Sequence, residues 1–438
     1  MQIPRLFSAF VALTLGWTVS ADNWSQWRGP QFNGSSTEKN LPSAWTRESA
    51  KWSVPMPGPS AATPIIFGDL VFISTADDAT KTLRAMCLDR KSGKVLWNNQ
   101  VGEGRISRDE KSNFASPSPV AEAGRVFFFY GNGALMAYDH AGKELWSRSI
   151  TKDYGDFAFQ WTFSATPMLW GGKLYVQVLQ RNVPVRGGGR TDAPNESYLL
   201  ALDPATGKTV WRHVRPSEAV AESLEAYSTP IPFEHQGRKE VLISGGDCLT
   251  GHDPETGKEL WRWGTWNPTK IGHWRLVPSP VAGGGVVLGC APKGDPIYAI
   301  KLGGNGVLTD SAIAWKSDQK RELSSDVPTP AFYNGDFIVV SDVRKSLSRV
   351  EPTTGQVKWT VELPGRRKFE SSPTVADGRV YMMNFAGDVV VADAAKGTVL
   401  GTIPMGDEGD DMIRSVIAVS SGQLFIRTNR KLYCVGKE

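Results

Sequence analysis

The sequence predicts an all-β fold, an eight-bladed β-propeller of four-stranded antiparallel blades. Three observations carry that expectation. A strand–turn–strand phrase ending in tryptophan returns along the chain, and a Ser/Thr-Pro lead-in precedes each copy. The composition, with 45 Gly, 28 Pro and 16 Trp in 438 residues, favours turns and large flat side chains over helix.

The phrase reads "LLALDPATGKTVW" at 199–211, and it returns as "MCLDRKSGKVLW", "MAYDHAGKELW", "TGHDPETGKELW" and "RVEPTTGQVKW". Stacked, the copies share an acid, a glycine and a tryptophan. These are Asp89, Gly93 and Trp97; Asp139, Gly142 and Trp146, one residue shorter; Asp203, Gly207 and Trp211; and Asp253, Gly257 and Trp261. Glu351, Gly355 and Trp359 put glutamate in the acid's place. A degenerate copy surrounds Ala299 and Trp315, while Asp393 and Gly397 keep the turn but put Gly401 where tryptophan belongs. The acid can accept backbone N–H groups ahead of it, and glycine takes the positive φ that closes the hairpin. The tryptophan is expected to cover the seam to the neighbouring repeat. Structure accounts for every residue of the phrase, so it implies architecture and not catalysis.

The lead-ins run "TPIIFGDLVFIST" (63–75), "SPVAEAGRVFFFY" (118–130), "TPMLWGGKLYVQV" (166–178) and onward to an imperfect "VIAVSSGQLFIRT" (416–428). Lead-in and phrase together give strands A to D, and four-stranded repeats of this length indicate a propeller. The last copy ends at "LYCVGKE" (432–438) without a fourth strand, while "SAWTRESAKWSV" (43–54) carries an orphan Trp52. The N-terminal strand is therefore expected to pair with the C-terminal blade and close the ring, leaving no open edge.

The formal net charge is +4, with Lys and Arg spread along the chain, which argues against a nucleic-acid partner. Arg5, the apolar run 6–17 and "VSA" (19–21) read as a signal peptide over 1–21, cut after Ala21. The run is too short to span a bilayer and none like it follows, so the chain is expected not to be membrane-spanning. No Cys follows the cleavage site, so no lipid anchor is expected there. The domain reading is one propeller over 22–438 with a lead segment at 22–42, secreted or periplasmic. Cys87, Cys248, Cys290 and Cys434 are far apart, allow three full pairings, and read as buried thiols. Cys87 and Cys434 stand in the phrase's small-residue slot, a packing position. Five histidines, at 140, 213, 235, 252 and 273, show no metal-ligand spacing, and no metal is expected.

These phrases resemble the PQQ-like (quinoprotein-type) β-propeller repeat over nearly the whole mature chain, and "LDPATGK" is their most specific word. The opening "WSQWRGPQFNG" (24–34) is similar to the head of many secreted propellers of that superfamily. One branch it implies is the quinoprotein dehydrogenases, which use pyrroloquinoline quinone and calcium. That branch generally brings an adjacent Cys pair, an Asp base and Glu and Asn calcium ligands. No two Cys here are near neighbours, and cations for the cofactor's carboxylates would fall to Arg275, Arg366, Arg367 and Arg414. The other implied branch is the BamB-like, non-catalytic one, which binds protein. The chain reads as a member of that branch: a non-enzymatic binding or scaffold module with a protein partner, no catalytic residues and no cofactor. A PQQ- and calcium-dependent oxidoreductase is the alternative, and a glycan-binding propeller a third.

The A–B and C–D turns read as short throughout, whereas the D–A connections are long, for example 98–115, 147–164, 212–227 and 262–277. The B–C excursion 181–197 falls on the same side, because strands alternate in direction. Elaboration confined to one face marks a binding surface. Aromatics interleaved with arginine suggest exposed partner-binding anchors at Trp161, Trp266, Trp274, Arg275, Arg367 and Phe369. Residues 215–227 are expected to form a short helix capped by Ser217. Mass spectrometry of the secreted protein should find an N-terminus at Asp22; a chain that keeps Met1 would contradict the cleavage.

Overall fold

Short β-branched and aromatic runs, punctuated by Gly turns, give eight separate antiparallel sheets with strands ordered A–B–C–D. The computed structural model describes residues 23–437 apart from 108, 110 and 319–321. The signal-peptide expectation lies outside the described residues. Blade 1 covers 65–103, and blades 2 to 7 follow at 120–149, 168–214, 231–263, 281–316, 331–362 and 374–404. Blade 8 takes three strands from 418–435 and its outer strand from Trp52–Pro55, where Trp52 faces Cys434 and Pro55 faces Lys431. The ring closes as the orphan tryptophan implied. Among the described residues the one α-helix is Ile150–Tyr154, and no helix is long and apolar enough to cross a membrane.

The Ser/Thr-Pro lead-in has a role that reaches across blades. The Thr63 N–H donates to the Ser118 hydroxyl at 2.9 Å, and the Ser118 N–H donates to Thr166 at 3.1 Å. The series continues from Thr166 to Thr229 (3.0 Å), Thr229 to Ser279 (2.8 Å), Ser279 to Thr329 (2.9 Å) and Thr329 to Ser372 (2.9 Å). The Val416 N–H then donates back to Thr63 at 3.2 Å. This belt of hydrogen bonds circles the central channel. Its one missing link lies between blades 7 and 8, where Val416 has no hydroxyl to offer Ser372. Belt hydroxyls and amides are buried, so each bond satisfies a donor that water cannot reach.

A second belt runs round the outside. In the phrase turns the acid caps N–H groups ahead, as Asp203 does for Ala205 and Thr206 at 2.8 and 2.9 Å. Each tryptophan except Trp261 then lies on the glycine of the next blade's turn. A Cβ on Gly93, Gly142, Gly207, Gly257, Gly355 or Gly397 would come within 2.5–2.7 Å of the rings of Trp52, Trp97, Trp146, Trp211, Trp315 and Trp359, respectively. Most of those indoles also donate to a carbonyl of the same turn: Trp52 to Arg90 (2.8 Å), Trp97 to His140 (3.0 Å), Trp146 to Pro204 (3.0 Å) and Trp315 to Pro352 (2.7 Å). The rings are buried or half-buried, as expected of seam covers.

Two features differ from the sequence reading. C–D turns are not short throughout, since in blade 5 residues 302–312 form an extra strand, Gly306–Leu308, and a 3₁₀ turn, Asp310–Ala312. Blade 5 lacks the acid–glycine turn, so Trp261 turns inward to Glu240 at 2.6 Å and the outer edge of blade 4 would stand open. The extra strand pairs with that edge in parallel, Arg262 facing Val307, and covers it. In 215–227 only Ala221–Leu224 forms a 3₁₀ turn, with Val220 at its N-cap and no side-chain cap. Ser217 donates its hydroxyl to Gly246 instead, tying this loop to the neighbouring blade.

The lead segment closes the A–B end of the channel. Its carbonyls at Trp24, Ser25, Asn33 and Gly34 accept the N–H groups of Ile66, Ala121, Phe332 and Val375, all on inner strands of different blades. Arg28, fully buried, donates to the carbonyls of Pro330 and Pro373 at 2.9 and 3.2 Å. Further along, Glu38 accepts from the Ser421 and Gly422 N–H groups of blade 8, and the Leu41 N–H donates to Asp377 of blade 7. Residues 38–47 thus bridge the seam where the inner belt has its gap and Gly401 replaces tryptophan. The Ser43 carbonyl lies 4.0 Å from where a Gly401 Cβ would stand. Thr229→Val removes the acceptor of the buried Thr166 N–H and should lower the unfolding free energy by about 1–3 kcal/mol. Urea denaturation checks this, and an unchanged midpoint would contradict it.

Candidate functional site

Two residues before each belt position, the chain turns down from a D–A loop into the channel. Ala61, Ser116, Ser164, Tyr227, Val277, Val327, Glu370 and Arg414 occupy that place in the eight blades, and all eight line one funnel of about 430 Å³. This volume lies within the range of small-ligand sites. The D–A loops and one B–C turn add Asp109, Lys111, Trp161, Arg275, Lys293, Asp326 and Lys368. Cations outnumber carboxylates on its wall.

The charges are not all spent on one another. Arg414 makes a close pair with Glu370, Nε to Oε2 at 2.7 Å, and its guanidinium lies 4.9 Å from the Phe385 ring. Arg275 is looser: Nε stands 3.8 Å from Glu222 and Nη2 3.9 Å from Asp326, both beyond hydrogen-bond reach. Its buried Nη1 has no protein acceptor. Lys293 sits at φ 64° in the blade 5 B–C turn, and its N–H donates to Asp326 at 2.7 Å. Burial and the nearby Arg275 hold the Lys293 amine below its usual pKa. Behind them the Asp326 N–H donates to Asp342 at 2.9 Å. Burial, followed by repulsion from Asp326 and Glu370, pushes the Asp342 carboxyl up to about 6.

Trp161 forms one wall. Lys111 Nζ lies 3.9 Å from its ring centroid and the Arg186 guanidinium 5.1 Å, while its indole N–H donates to Glu222 at 2.9 Å. Tyr227 donates to the buried Glu225 at 2.6 Å, and Arg181 pairs with the same carboxylate at 2.5 Å. A second hollow of about 340 Å³ shares Ala61, Asp109, Lys111, Ser112 and Met412 with the funnel and continues outward over blades 8 and 1, past Asp78, Asp411 and Asn429. The site is therefore a pit with a lateral groove. Its centre is cationic and its outer end acidic.

Of the six expected anchors, the structure brings Trp161 and Arg275 together in the funnel. Trp274 is half-buried beside it, its N–H bonded to Ser223, and Arg367 is exposed and 3.5 Å from Asp411. Trp266 and Phe369 are corrections. Trp266 is 5% exposed, edge-on to Trp263 at 5.5 Å, and Phe369 is fully buried among Leu363, Val375 and Met382. Both rings hold a loop onto the blades, where removal from water gains more than display to a partner. Of the four candidate arginines, Arg275 and Arg414 reach the funnel, whereas Arg366 and Arg367 are exposed and not part of its lining. Lys111, Lys293, Asp326, Asp342 and Glu370 went unrecognised in the sequence, although the fixed offset from each Ser/Thr-Pro would have pointed to Glu370.

All four cysteines are buried, and none is joined in a disulfide. Among the described residues no three His, Cys, Asp or Glu side chains converge as metal ligands do. His252 is buried with its pKa pushed down to about 3, hydrogen-bonded to Gly257 and Thr250. It serves the turn.

A family model described as "Outer membrane protein assembly factor BamB" matches residues 35–197, 195–287 and 307–429. Two curated relatives are polyvinylalcohol dehydrogenase of Sphingopyxis sp. (strain 113P3), 27% identical over 56% of this chain and 35% of its own, and quinohemoprotein alcohol dehydrogenase ADH IIB of Pseudomonas putida, 24% identical over 44% and 26%. The chain thus spans about a third or less of the curated relatives it matches. Among solved structures, a europium-containing methanol dehydrogenase superposes with a TM-score of 0.68 at 11% identity, covering 95% of this chain and 98% of its own. BamB from Moraxella catarrhalis superposes with a TM-score of 0.58 at 13% identity, covering 88% and 98%. At such identities the superpositions establish the propeller fold alone.

The Asp342 carboxyl gives a pH signature. Its folded pKa lies above the ordinary 3.8, so the folded state holds the proton more tightly, and stability falls as pH rises from about 4 through about 6. Asp342→Asn keeps an oxygen for the Asp326 N–H and removes the buried charge. The variant should unfold at higher denaturant than the parent at pH 7 and lose that advantage near pH 4; parallel profiles would contradict the assignment.

Proposed function

The chain belongs to the family described as outer membrane protein assembly factor BamB, and from that premise we propose a non-enzymatic binding or scaffold module that acts outside the cytoplasm. Its working surface is the D–A face, centred on the funnel, and its partner is a protein that presents an acidic group to Arg275, Lys293 and Arg414. The observation that carries this reading is the Arg275 guanidinium. It is held at the convergence point of all eight blades with a buried Nη1 that no protein group accepts. A buried arginine edge of this kind favours binding of a carboxylate or phosphate. The groove toward Asp78 and Asp411 gives an extended segment somewhere to lie.

The second reading, an oxidoreductase, is favoured by the dehydrogenases among the curated relatives and by the same cations, which suit the carboxylates of a quinone. The calcium half of that site fits poorly. Calcium takes several oxygen ligands, yet Asp326 already accepts the Lys293 N–H, Glu370 is paired with Arg414, and no carboxylate cluster forms among the described residues. The buried, separated cysteines offer no ring over a cofactor.

Two measurements divide the readings. Affinity capture from an extract of the exported fraction, with the parent and with Arg275→Ala, should lose a defined set of proteins by tenfold or more in the variant. Incubation with pyrroloquinoline quinone and calcium, followed by a dye-linked alcohol assay, should give no turnover. Turnover, or a captured set indifferent to Arg275, would overturn the scaffold reading.

A further inference from the structure

The funnel and the groove beside it carry opposite charge. On the funnel wall five cations stand against three carboxylates. In the outer hollow Asp78, Asp109 and Asp411 stand against Lys111 alone. Asp109 is spent on the backbone, accepting the N–H groups of Lys111 (2.7 Å), Ser112 (3.2 Å) and Thr162 (2.7 Å), and so shapes the wall that the two hollows share. Asp78 and Asp411 are exposed, and the cation that reaches Asp411, Arg367, is itself exposed and 3.5 Å away. A pair of that kind in water is worth little and yields to a competing cation.

The pit is blind. The lead segment seals the far end of the channel through its carbonyls at Trp24, Ser25, Asn33 and Gly34 and through buried Arg28. A segment that enters from the D–A face cannot thread the ring, so it ends in the pit or doubles back. Within the pit, burial and the nearby Arg275 hold the Lys293 amine below its usual pKa, and Arg275 keeps a buried Nη1 without a protein acceptor. An incoming carboxylate relieves both. A chain end carries that charge on the backbone itself. It needs neither the length of an acidic side chain nor the second strand, about 5 Å to the side, of a doubled-back segment.

The wall also sets a spacing. Arg414 lines the funnel, Met412 both hollows and Asp411 the outer one. Three residues span at most about 11 Å. A carboxylate near Arg414 and a cation near Asp411 are therefore about three residues apart on an extended chain.

We propose that the funnel and groove bind the free C-terminal end of an extended partner chain. Its α-carboxylate lies on Arg275 and Lys293, and a Lys or Arg side chain about three positions from its end lies between Asp78 and Asp411. This rests on the scaffold reading and narrows the partner to a protein with an unblocked, basic tail.

Fluorescence polarisation on the full mature chain tests it with an N-terminally labelled heptapeptide, Ser-Gly-Ser-Gly-Lys-Ser-Leu. The final leucine suits Val277, Val327 and Phe385 of the wall. The free acid should bind saturably with Kd below about 1 mM, and its C-terminal amide about tenfold more weakly or worse. Exchanging the lysine for glutamine should weaken the acid about threefold to fivefold. Asp78→Asn with Asp411→Asn, both exposed positions, should erase that lysine effect and keep the gap between acid and amide. Arg275→Ala should close the gap, and Lys293→Met serves in its place if that variant does not fold. Equal binding of acid and amide, or no saturable binding of the acid, overturns the proposal. Protein capture that depends on Arg275 while acid and amide bind alike overturns the chain-end proposal and leaves the scaffold reading standing.

Discussion

The hydrogen bond from one blade's backbone N–H to the next blade's Ser/Thr hydroxyl is the constraint on which the architecture rests. An inner propeller strand has a partner on one side only, and its other edge faces the channel. The belt satisfies the amide at the entrance of seven of the eight inner strands without using water, and it fixes the height of those blades against their neighbours. Proline follows at most belt positions, since the next residue has no further bond to offer and its fixed φ holds the chain extended. With eight entrances at one level, the residues two places earlier must face one another. The funnel is a by-product of that alignment.

The outer belt works by packing more than by polarity. A tryptophan ring can lie flat on the neighbouring turn only where the turn residue has no side chain, so Trp and Gly are obliged to occur together across a seam. Where a fastener is missing, another part of the chain stands in. Blade 5 sends a strand to the edge that Trp261 leaves uncovered. Between blades 7 and 8, both the hydroxyl and the indole are absent, and residues 38–47 cross that seam with Glu38, Leu41 and the Ser43 carbonyl. The N-terminal stretch 23–55 is thus floor, strap and closing strand in turn.

What the sequence made legible follows from periodicity. The acid–glycine–tryptophan phrase and the Ser/Thr-Pro lead-in recur at intervals, and repetition exposes a common cause, so blade number, strand order and closure through Trp52 could all be read. The funnel's chemistry does not repeat. Ala61, Tyr227, Glu370 and Arg414 are equivalent in place and unlike in character, and only superposition of the blades brings them together. Trp266 and Phe369 show the converse difficulty. Loop aromatics beside arginines look like display, yet burial of a whole ring outweighs it when the loop has a wall to lie on. Arg28 had no signal at all, because a lone arginine in a polar-looking opening gives no hint that it ends in the axis of a ring.

Closure through a strand near the chain's start sets an order of events. Trp52–Pro55 can find its partner only once Lys431–Cys434 exists. At translation speeds of about 5–20 residues per second, that wait lasts on the order of 20–80 s. Through it the earliest sheet-forming segment has no mate, and a growing stack of wedges has two raw ends. A nascent chain in that condition invites a helper that shields edges, or a second nascent chain that supplies the wrong one.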